Sequence, residues 1–303
     1  MTVQVTGMAA GLAAGALWGL VFVAPRMVAG LSAVDFAAGR FVAYSIFSLA
    51  WMAVMAGTRG AVWPTRRQAF AALGLSVLGF TGYYLLLVLA IQDAGTEVPS
   101  LIIGTIPLWM MLLGKPAGLR WRSLVPGLLF TLLGLGLMMQ ASHGAAAPQA
   151  EGGVFWRGVV WAVLSMVMWT AFGLLNAAWL QRHPDVNATT WANWLGVATG
   201  LGASGLWLVA GTDAKVLLAG ADIAQAVVLC VVTGIGSAWL ATLLWNIASQ
   251  RLSASLCGQL IVSETLFALI YSFLWDGQWP SAVQALACVL FVLGILASVR
   301  AHR

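Results

Sequence analysis

Charged side chains divide this chain into long apolar stretches. A helix needs about 20 mostly apolar residues to cross the roughly 30 Å hydrocarbon layer of a membrane. Uninterrupted runs such as residues 85–90 lack the alternation of barrel strands. The pattern therefore predicts an all-α integral membrane protein with ten transmembrane helices joined by short connections. The ten stretches are residues 1–25, 41–58, 68–92, 98–114, 123–150, 158–181, 186–212, 223–250, 252–275 and 277–299.

The longest connection separates two halves of five stretches each. It is rich in Gly, Ala and Pro, and it predicts a hinge loop at residues 143–153 between halves at 1–142 and 154–303. A repeat with an odd number of spans must be inverted in the membrane, and many such transporters bind substrate near the midplane. We therefore predict two inverted five-helix repeats, with two unrelated runs of helices as the alternative. The matched positions are Trp18 with Trp169, Pro25 with Asn176, and Tyr83 with Trp239.

Composition excludes several classes of protein. Of the 303 residues, 61% are hydrophobic and 8% are charged, whereas soluble domains carry about 25% charged residues. Three cysteines are too few for a disulfide scaffold, and the polar content is too low for a disordered chain. The formal net charge of +5 comes without a basic cluster, so nucleic-acid binding is not expected. The first stretch has no basic segment before it and is expected to be a helix rather than a cleavable signal.

Lys and Arg are shared unevenly between the two sets of connections. If the N-terminus is cytoplasmic, ten of the 14 Lys and Arg residues fall on the cytoplasmic side. Cytoplasmic loops of membrane proteins carry the excess of these residues. We therefore predict that both termini are cytoplasmic. The basic residues expected on the opposite side or at helix ends there are Arg26, Arg40, Arg157 and Lys215.

The residue types needed for catalysis or metal binding are sparse. All three histidines lie in connections or in the tail, and the three cysteines lie in separate stretches without metal-ligand spacing. The sequence contains no metalloprotease or phosphate-loop motif. Neither enzyme activity, nor a metal, nor a cofactor is predicted. The three histidines are His143, His183 and His302, and the three cysteines are Cys230, Cys257 and Cys288.

Several predicted helix faces combine small, polar and aromatic side chains. Ser165, Trp169, Phe172 and Asn176 recur at spacings of four, three and four, which places them on one helix face. Hydroxyls and amides that faced lipid would lack partners, so such a face borders protein or a cavity. Helix packing is the alternative for each residue. The predicted cavity residues are Trp18, Tyr83, Trp109, Trp169, Asn176, Trp239 and Asn246.

Three further residues within the stretches are unusual. Pro25 and Pro107 interrupt helical hydrogen bonding, so each is either a hinge near the cavity or a static kink. Glu264 is the one acid deep in a stretch, and it is either a coupling group or a protonated structural acid bonded to Gln259 or Ser263. No His or Asp in another stretch could relay a proton to it. We therefore favour the structural role, and facilitated export over proton exchange.

Short motifs resemble those of a known transporter family. The sequence Ala16-Leu17-Trp18-Gly19 followed by Pro25, and Gly104-Thr105-Ile106-Pro107 in the fourth stretch, resemble the EamA-type exporters of the drug/metabolite transporter superfamily. The wealth of aromatic residues is most similar to the bacterial aromatic amino acid exporters of that superfamily. Two positions depart from the family pattern. Ser263-Glu264 stands where the second repeat often carries a proline, and Trp275-Asp276-Gly277 stands where a Gly-Glu pair is common.

The resemblance implies a carrier in the bacterial inner membrane. Its implied substrate is an amino acid, with aromatic ones first, exported by exposing a central cavity alternately to the two sides. A multidrug or toxic-cation exporter is the competing interpretation, and a Glu264 that faced the cavity would favour it. A channel would show polar stripes along several whole helices, which the sequence does not. The expected partners are this small molecule and the lipid bilayer, and nothing in the sequence indicates the oligomeric state.

Overall fold

Helices make up most of the described part of the chain, and it contains no strand. The computed structural model describes residues 2–28, 30–59, 63–95, 97–142, 152–220 and 222–302. Residues 143–151 of the predicted hinge loop lie outside these ranges, and the predicted fifth span is helical to Ser142. The α-helices are α1 Thr2–Gly19, α2 Ala33–Arg59, α3 Arg66–Ser76, α4 Gly82–Ala94, α5 Glu97–Gly104, α6 Ile106–Leu113, α7 Trp121–Ser142, α8 Gly152–Arg182, α9 Ala188–Ala210, α10 Ala214–Gly220, α11 Ile223–Thr233, α12 Ala241–Arg251, α13 Ala254–Asp276 and α14 Ala282–Ala301.

Among the described residues, eight helical segments are long and apolar enough to cross a membrane, which supports a multi-pass helical membrane protein. Two predicted spans fall outside that set. One is the broken pair α5 and α6, whose apolar part is the short stretch Val98–Leu113. The other is α9, whose apolar character is diluted by Trp, Asn, Thr and Gly. Both stretches nevertheless lie within the bundle, since α9 packs along α2 and α6 packs against α13.

Two pairs of helices form continuous spans through a π turn. Residues Val77–Thr81 join α3 to α4, and residues Gly234–Leu240 join α11 to α12. Each composite span is 29 residues long, and in each the π turn follows an 11-residue helix. In a π turn the hydrogen bonds run from i to i+5. Side chains before and after the turn therefore do not share one continuous α-helical face.

Both predicted hinge prolines lie where a helix ends or begins again. After α1 ends, the chain continues in two 3₁₀ turns, and Pro25 lies in the second, Ala24–Met27. Thr105 separates α5 from α6, and Pro107 lies in the first turn of α6. Proline is tolerated there because its missing N–H would have no partner within the helix. Pro107 therefore marks a break between two short helices rather than a kink within one.

Both ends of the described chain lie at the same end of the bundle. The side-chain amide of Gln4 donates to the carbonyl of His302 at 3.3 Å, and Pro116 and Arg251 lie beside them. We call this the termini end. The opposite end carries two ion pairs, Arg26 with Asp276 at 3.2 Å and Arg157 with Asp93 at 2.7 Å. An even number of crossings of the bundle follows from this arrangement.

Helices of the first half pack against helices of the second. The main pairs are α2 with α9, α7 with α14, α1 with α12 and α13, α8 with α4 and α5, and α6 with α13. Glycines allow the close approach of α1 to α13, because Gly15 lies against Ser263 and Gly19 lies against Phe267 and Ala268. The two halves are therefore interleaved rather than side by side.

We expect Gly19→Ala to destabilise the protein through this contact. The added methyl group would lie 2.8 Å from the backbone nitrogen of Ala268, which cannot rotate away. Overpacking of this kind costs about 1–3 kcal/mol. Thermal unfolding in detergent should show a lower midpoint. Gly74→Ala is the control, since nothing lies within 4 Å of that position and alanine favours a helix. Equal midpoints in the two variants would contradict the close packing of α1 on α13.

Candidate functional site

Helix α13 is packed tightly in its half at the termini end and loosely in its other half. In α13, residues 255–263 are all buried, whereas none of residues 264–276 is. The second segment covers more than three helical turns, so no face of α13 is closely covered there. In α4, residues 82–89 are likewise only partly buried. The surroundings of the second half of α13 and the first half of α4 are therefore packed less closely than those of the first half of α13.

The broken helix α5–α6 shows the same asymmetry. The piece at the termini end, α6, packs against α13, and Ser255 donates to the carbonyl of Met111 at 3.0 Å. The other piece, α5, packs on α4, α7 and α8 and has no comparable contact with α13. The two helices therefore separate towards the opposite end.

Four polar residues from three helices lie in the same part of the bundle. The charge of Arg40 on α2 acts on Tyr83 and Tyr84 on α4 and on Glu264 on α13, without a hydrogen bond or ion pair between these side chains in the described residues. All four side chains are only partly buried by surface area, although they lie well inside the length of their helices. We call the space that they border the outer vestibule. Its chemistry combines one cation, one carboxyl group and two phenols.

Arg40 is a functional candidate that sequence analysis assigned to a helix end. Because α2 begins at Ala33, Arg40 lies two turns inside it. Its guanidinium carbon is 4.7 Å from the centroid of the Phe41 ring and 5.8 Å from that of Phe36. The signal that could have placed it is Ser32, which accepts a hydrogen bond from the backbone N–H of Asp35 at 3.1 Å and marks the helix start.

The expected partners of Glu264 are engaged elsewhere. Ser263 donates to the carbonyl of Leu260 at 2.6 Å, and the side-chain amide of Gln259 donates to Thr131 at 3.0 Å. Among the described residues, Glu264 forms no ion pair, and Arg40 is the cation that interacts with it electrostatically. The structure therefore does not show the predicted structural pairing, and it leaves Glu264 at the edge of the vestibule.

Two of the predicted cavity tryptophans meet, together with a third that sequence analysis missed. The centroids of Trp18 and Trp169 are 6.4 Å apart, and Trp245 lies 5.4 Å from the first and 6.3 Å from the second. We call these three residues the tryptophan cluster. Trp18 follows Gly15, which lies against Glu264, by about one helical turn. The tryptophan cluster therefore lies beside the vestibule.

Trp239 and Trp109 lie away from the tryptophan cluster. Trp239 is 4.8 Å from Phe47 and 5.3 Å from Trp51, and its indole N–H donates to Asn193 at 2.7 Å. It therefore packs between α2 and α9. Trp109 is 43% exposed on α6. The π turn before α12 explains the first difference, because it breaks the face that we predicted from Trp239 to Asn246.

The two predicted cavity asparagines form a fully buried polar network. Asn176 donates to Asn246 at 3.2 Å and accepts from the indole N–H of Trp191 at 2.7 Å. Both asparagines are 0% exposed. Hydrogen bonds between α8, α9 and α12 satisfy these polar groups, as buried polar groups require. The network therefore helps to hold the tightly packed part of the bundle together.

Other features of the described residues offer no competing centre. Two clefts of about 370 and 340 Å³ open at the termini end, beside Arg251 and Lys115 respectively. Within the described part of the chain, no three His, Cys, Asp or Glu side chains are grouped as metal ligands. The vestibule and the adjoining tryptophan cluster are therefore the candidate site.

Comparisons with known proteins agree with this architecture. The family described as "EamA-like transporter family" matches residues 5–140 and 156–300. "Inner membrane protein YtfF" of Escherichia coli (strain K12) is 32% identical over 312 residues, which cover 98% of this chain and 96% of that protein. A solved structure described as "Crystal structure of protein" has a TM-score of 0.78 and 19% identity, over 98% of this chain and 97% of its own, and this likeness concerns the fold alone. The family match and the relative show that the chain belongs to the EamA-like transporter family of the drug/metabolite transporter superfamily and is a membrane transporter.

Proposed function

We propose that this transporter exports amino acids, with aromatic ones first, by alternating access. The observation that carries the proposal is the vestibule, which lies where α5 and the second half of α13 separate and which is bordered by Arg40, Glu264 and the tryptophan cluster. Such a site offers a polar part for the backbone groups of an amino acid and an aromatic part for its side chain. Tyr83, Trp18 and Trp169 remain the substrate residues of the proposal.

The proposal includes ten spans in two inverted repeats, at residues 1–142 and 154–303. Three observations support it. The family match covers both halves, and the two composite spans share their length and the start of their π turns. Exchange of the halves turns the pair of α1 with α12 into that of α8 with α4, and the pair of α6 with α13 into one of α13 with α5 at the opposite end. The contact between α8 and α4 is present, whereas α5 and the second half of α13 are separated.

The proposed location is the bacterial inner membrane, with both termini in the cytoplasm. The Escherichia coli relative carries the name "inner membrane protein". The shared position of the two chain ends supports an even number of crossings, and the excess of Lys and Arg in the connections at that end supports its cytoplasmic orientation. In this orientation the vestibule opens away from the cytoplasm.

Counterflow tests the proposed substrate class directly. The purified chain would be reconstituted in liposomes loaded with an unlabelled amino acid, and uptake of the labelled amino acid would be followed. We expect loaded phenylalanine or tryptophan to accelerate uptake of its labelled form, with threonine carried less well and empty liposomes as the control. Absence of counterflow for every amino acid, from a reconstituted and folded protein, would overturn the proposal.

A cation exporter is the second candidate, because Glu264 is partly exposed at the vestibule. An accessible carboxylate attracts a cationic drug, but Arg40 interacts with the same carboxylate and repels cations. We therefore rank this function second. Counterflow of a cationic dye such as ethidium, in the absence of amino acid counterflow, would reverse the order.

We expect Trp169→Leu to weaken transport of aromatic amino acids selectively. The change keeps an apolar wall but removes a ring that lies 6.4 Å from Trp18. Stacking contributes about 0.5–1.5 kcal/mol beyond burial, so phenylalanine transport at low concentration should fall roughly 2- to 12-fold. Threonine transport should change less. Equal rates for both amino acids in a normally expressed variant would remove Trp169 from the site.

A further inference from the structure

Arg40 carries a hydrogen-bond donor that the described protein leaves unused. Its Nε atom is buried and has no hydrogen-bond partner. A guanidinium group has five N–H donors in a planar fork, and burying a charge without partners is costly in a membrane protein. The phenyl rings of Phe36 and Phe41 lie beside the guanidinium group but accept no conventional hydrogen bond. The arginine is therefore prepared for a ligand that accepts hydrogen bonds.

The neighbours of Arg40 indicate what kind of ligand fits. Glu264 lies near enough to interact with Arg40 electrostatically, yet the two side chains form no ion pair within the 4.0 Å limit. Tyr84 does not compete for the guanidinium group through its hydroxyl, which donates to the carbonyl of Ala33 at 2.7 Å. A guanidinium group and a carboxyl group thus lie in the same part of the bundle without forming an ion pair with each other.

We propose that Arg40 binds the carboxylate of the substrate and that Glu264 binds its ammonium group. An α-amino acid carries these two groups on one carbon atom, so a single small ligand can satisfy both side chains. A planar carboxylate matches the guanidinium fork in a bidentate manner. The inference rests on the proposed amino acid transport, and it extends that function by assigning the two residues that recognise the part common to all amino acids.

This arrangement selects zwitterions over simple ions. A cation that approaches Glu264 meets the charge of Arg40, and an anion that approaches Arg40 meets the charge of Glu264. Each ligand with only one charged group therefore leaves one protein charge unpaired, which is unfavourable in a partly buried site. The aromatic residues beside the vestibule then distinguish among amino acid side chains.

Competition in the wild-type counterflow assay tests the proposal without a mutation. Phenylalanine uptake would be challenged with phenethylamine, which lacks the carboxylate, and with 3-phenylpropionate, which lacks the ammonium group. If threonine is the better substrate, the analogues are 1-aminopropan-2-ol and 3-hydroxybutyrate. We expect each analogue to compete roughly 10- to 100-fold more weakly than the amino acid, because a charge-assisted contact is lost. An analogue that competes as well as the amino acid would overturn the proposal.

Variants assign the two contacts to the two residues. In Arg40→Gln, the carboxylate analogue should no longer compete, whereas the amine analogue should compete as it does with the wild type. In Glu264→Gln, the amine analogue should no longer compete, whereas the carboxylate analogue should. Arg40→Lys keeps the charge and should retain part of the transport. Amino acid counterflow that persists at the wild-type level in a folded Arg40→Gln would refute the inference and leave the proposed function standing. Absence of all amino acid counterflow in the wild type would refute both.

Discussion

A disulfide between α6 and α13 at the termini end is expected to stop transport completely. The suitable positions are Gly114→Cys and Ala254→Cys, in a variant from which Cys230, Cys257 and Cys288 have been removed. A Cβ atom at Gly114 would lie 2.8 Å from the Cβ of Ala254. Disulfides need about 3.5–4.5 Å between these atoms, so the helix ends must move apart by roughly 1 Å. The same Cβ would lie 2.7 Å from the carbonyl oxygen of Met110 and 2.8 Å from the backbone nitrogen of Ser255, so the helix end must shift as a whole. Counterflow by the reduced double variant must therefore be measured first, to show that it folds and transports.

Transport should stop because this helix pair is in contact at the termini end and separated at the opposite end. In the proposed inverted repeat, the contact of α6 with the first half of α13 corresponds to a contact of α5 with the second half of α13. The structure has the former and not the latter. Opening towards the cytoplasm then requires α6 and α13 to separate, and a covalent bond prevents it. Oxidation should abolish counterflow, and reduction should restore it.

A second cysteine pair provides the matched control. Gly11→Cys with Ala248→Cys links α1 to α12, where a Cβ at Gly11 would lie 3.6 Å from that of Ala248. The corresponding pair at the opposite end, α8 with α4, is also in contact, since Gly158 lies against Ala94. Neither contact has to break when the protein changes between the states open to the two sides of the membrane. The disulfide between Gly11→Cys and Ala248→Cys should therefore leave transport intact. A block by the control pair, or transport through the oxidised first pair, would contradict the proposed movement.

Trp245→Ala is expected to cause a large loss of stability. Trp245 is 1% exposed and lies between Trp18 and Trp169. Truncation of a buried tryptophan costs about 3–5 kcal/mol, because transfer energy is lost and a cavity remains. Thermal unfolding in detergent should show a midpoint several degrees lower. Trp279→Ala is the control, since Trp279 is 95% exposed. Similar midpoints in the two variants would show that Trp245 is not a packing centre.

The sequence predicts the helical membrane architecture well because a span must be apolar over its whole length. The first residues of several helices can also be predicted from the side chains that cap them. Thr65, Asn187 and Ser281 each accept a hydrogen bond from a backbone N–H in the first turn. α9 shows the limit of this reasoning, since its Trp, Asn and Gly residues serve close packing against α2 and lower its apolar character.

The candidate site could be predicted only in part. Trp18 and Trp169 meet as expected, but the face drawn through Trp239 crosses a π turn that hydrophobic periodicity does not reveal. Trp245 therefore takes the place that Trp239 was expected to have. Arg40 was missed for a different reason. Counting it as a loop charge ignored that α2 begins seven residues earlier, at Ala33.

The distance between α5 and the second half of α13 distinguishes alternating access from a static bundle. Spin labels at Ser100 on α5 and Ser272 on α13 would report it by double electron–electron resonance in nanodiscs, with and without a transported amino acid. We expect a new, shorter population when substrate is present, as the vestibule closes. Labels at Gln92 on α4 and Val160 on α8 should keep one distance throughout. An unchanged Ser100–Ser272 distribution, with an amino acid that the same protein carries in counterflow, would contradict alternating access by this movement.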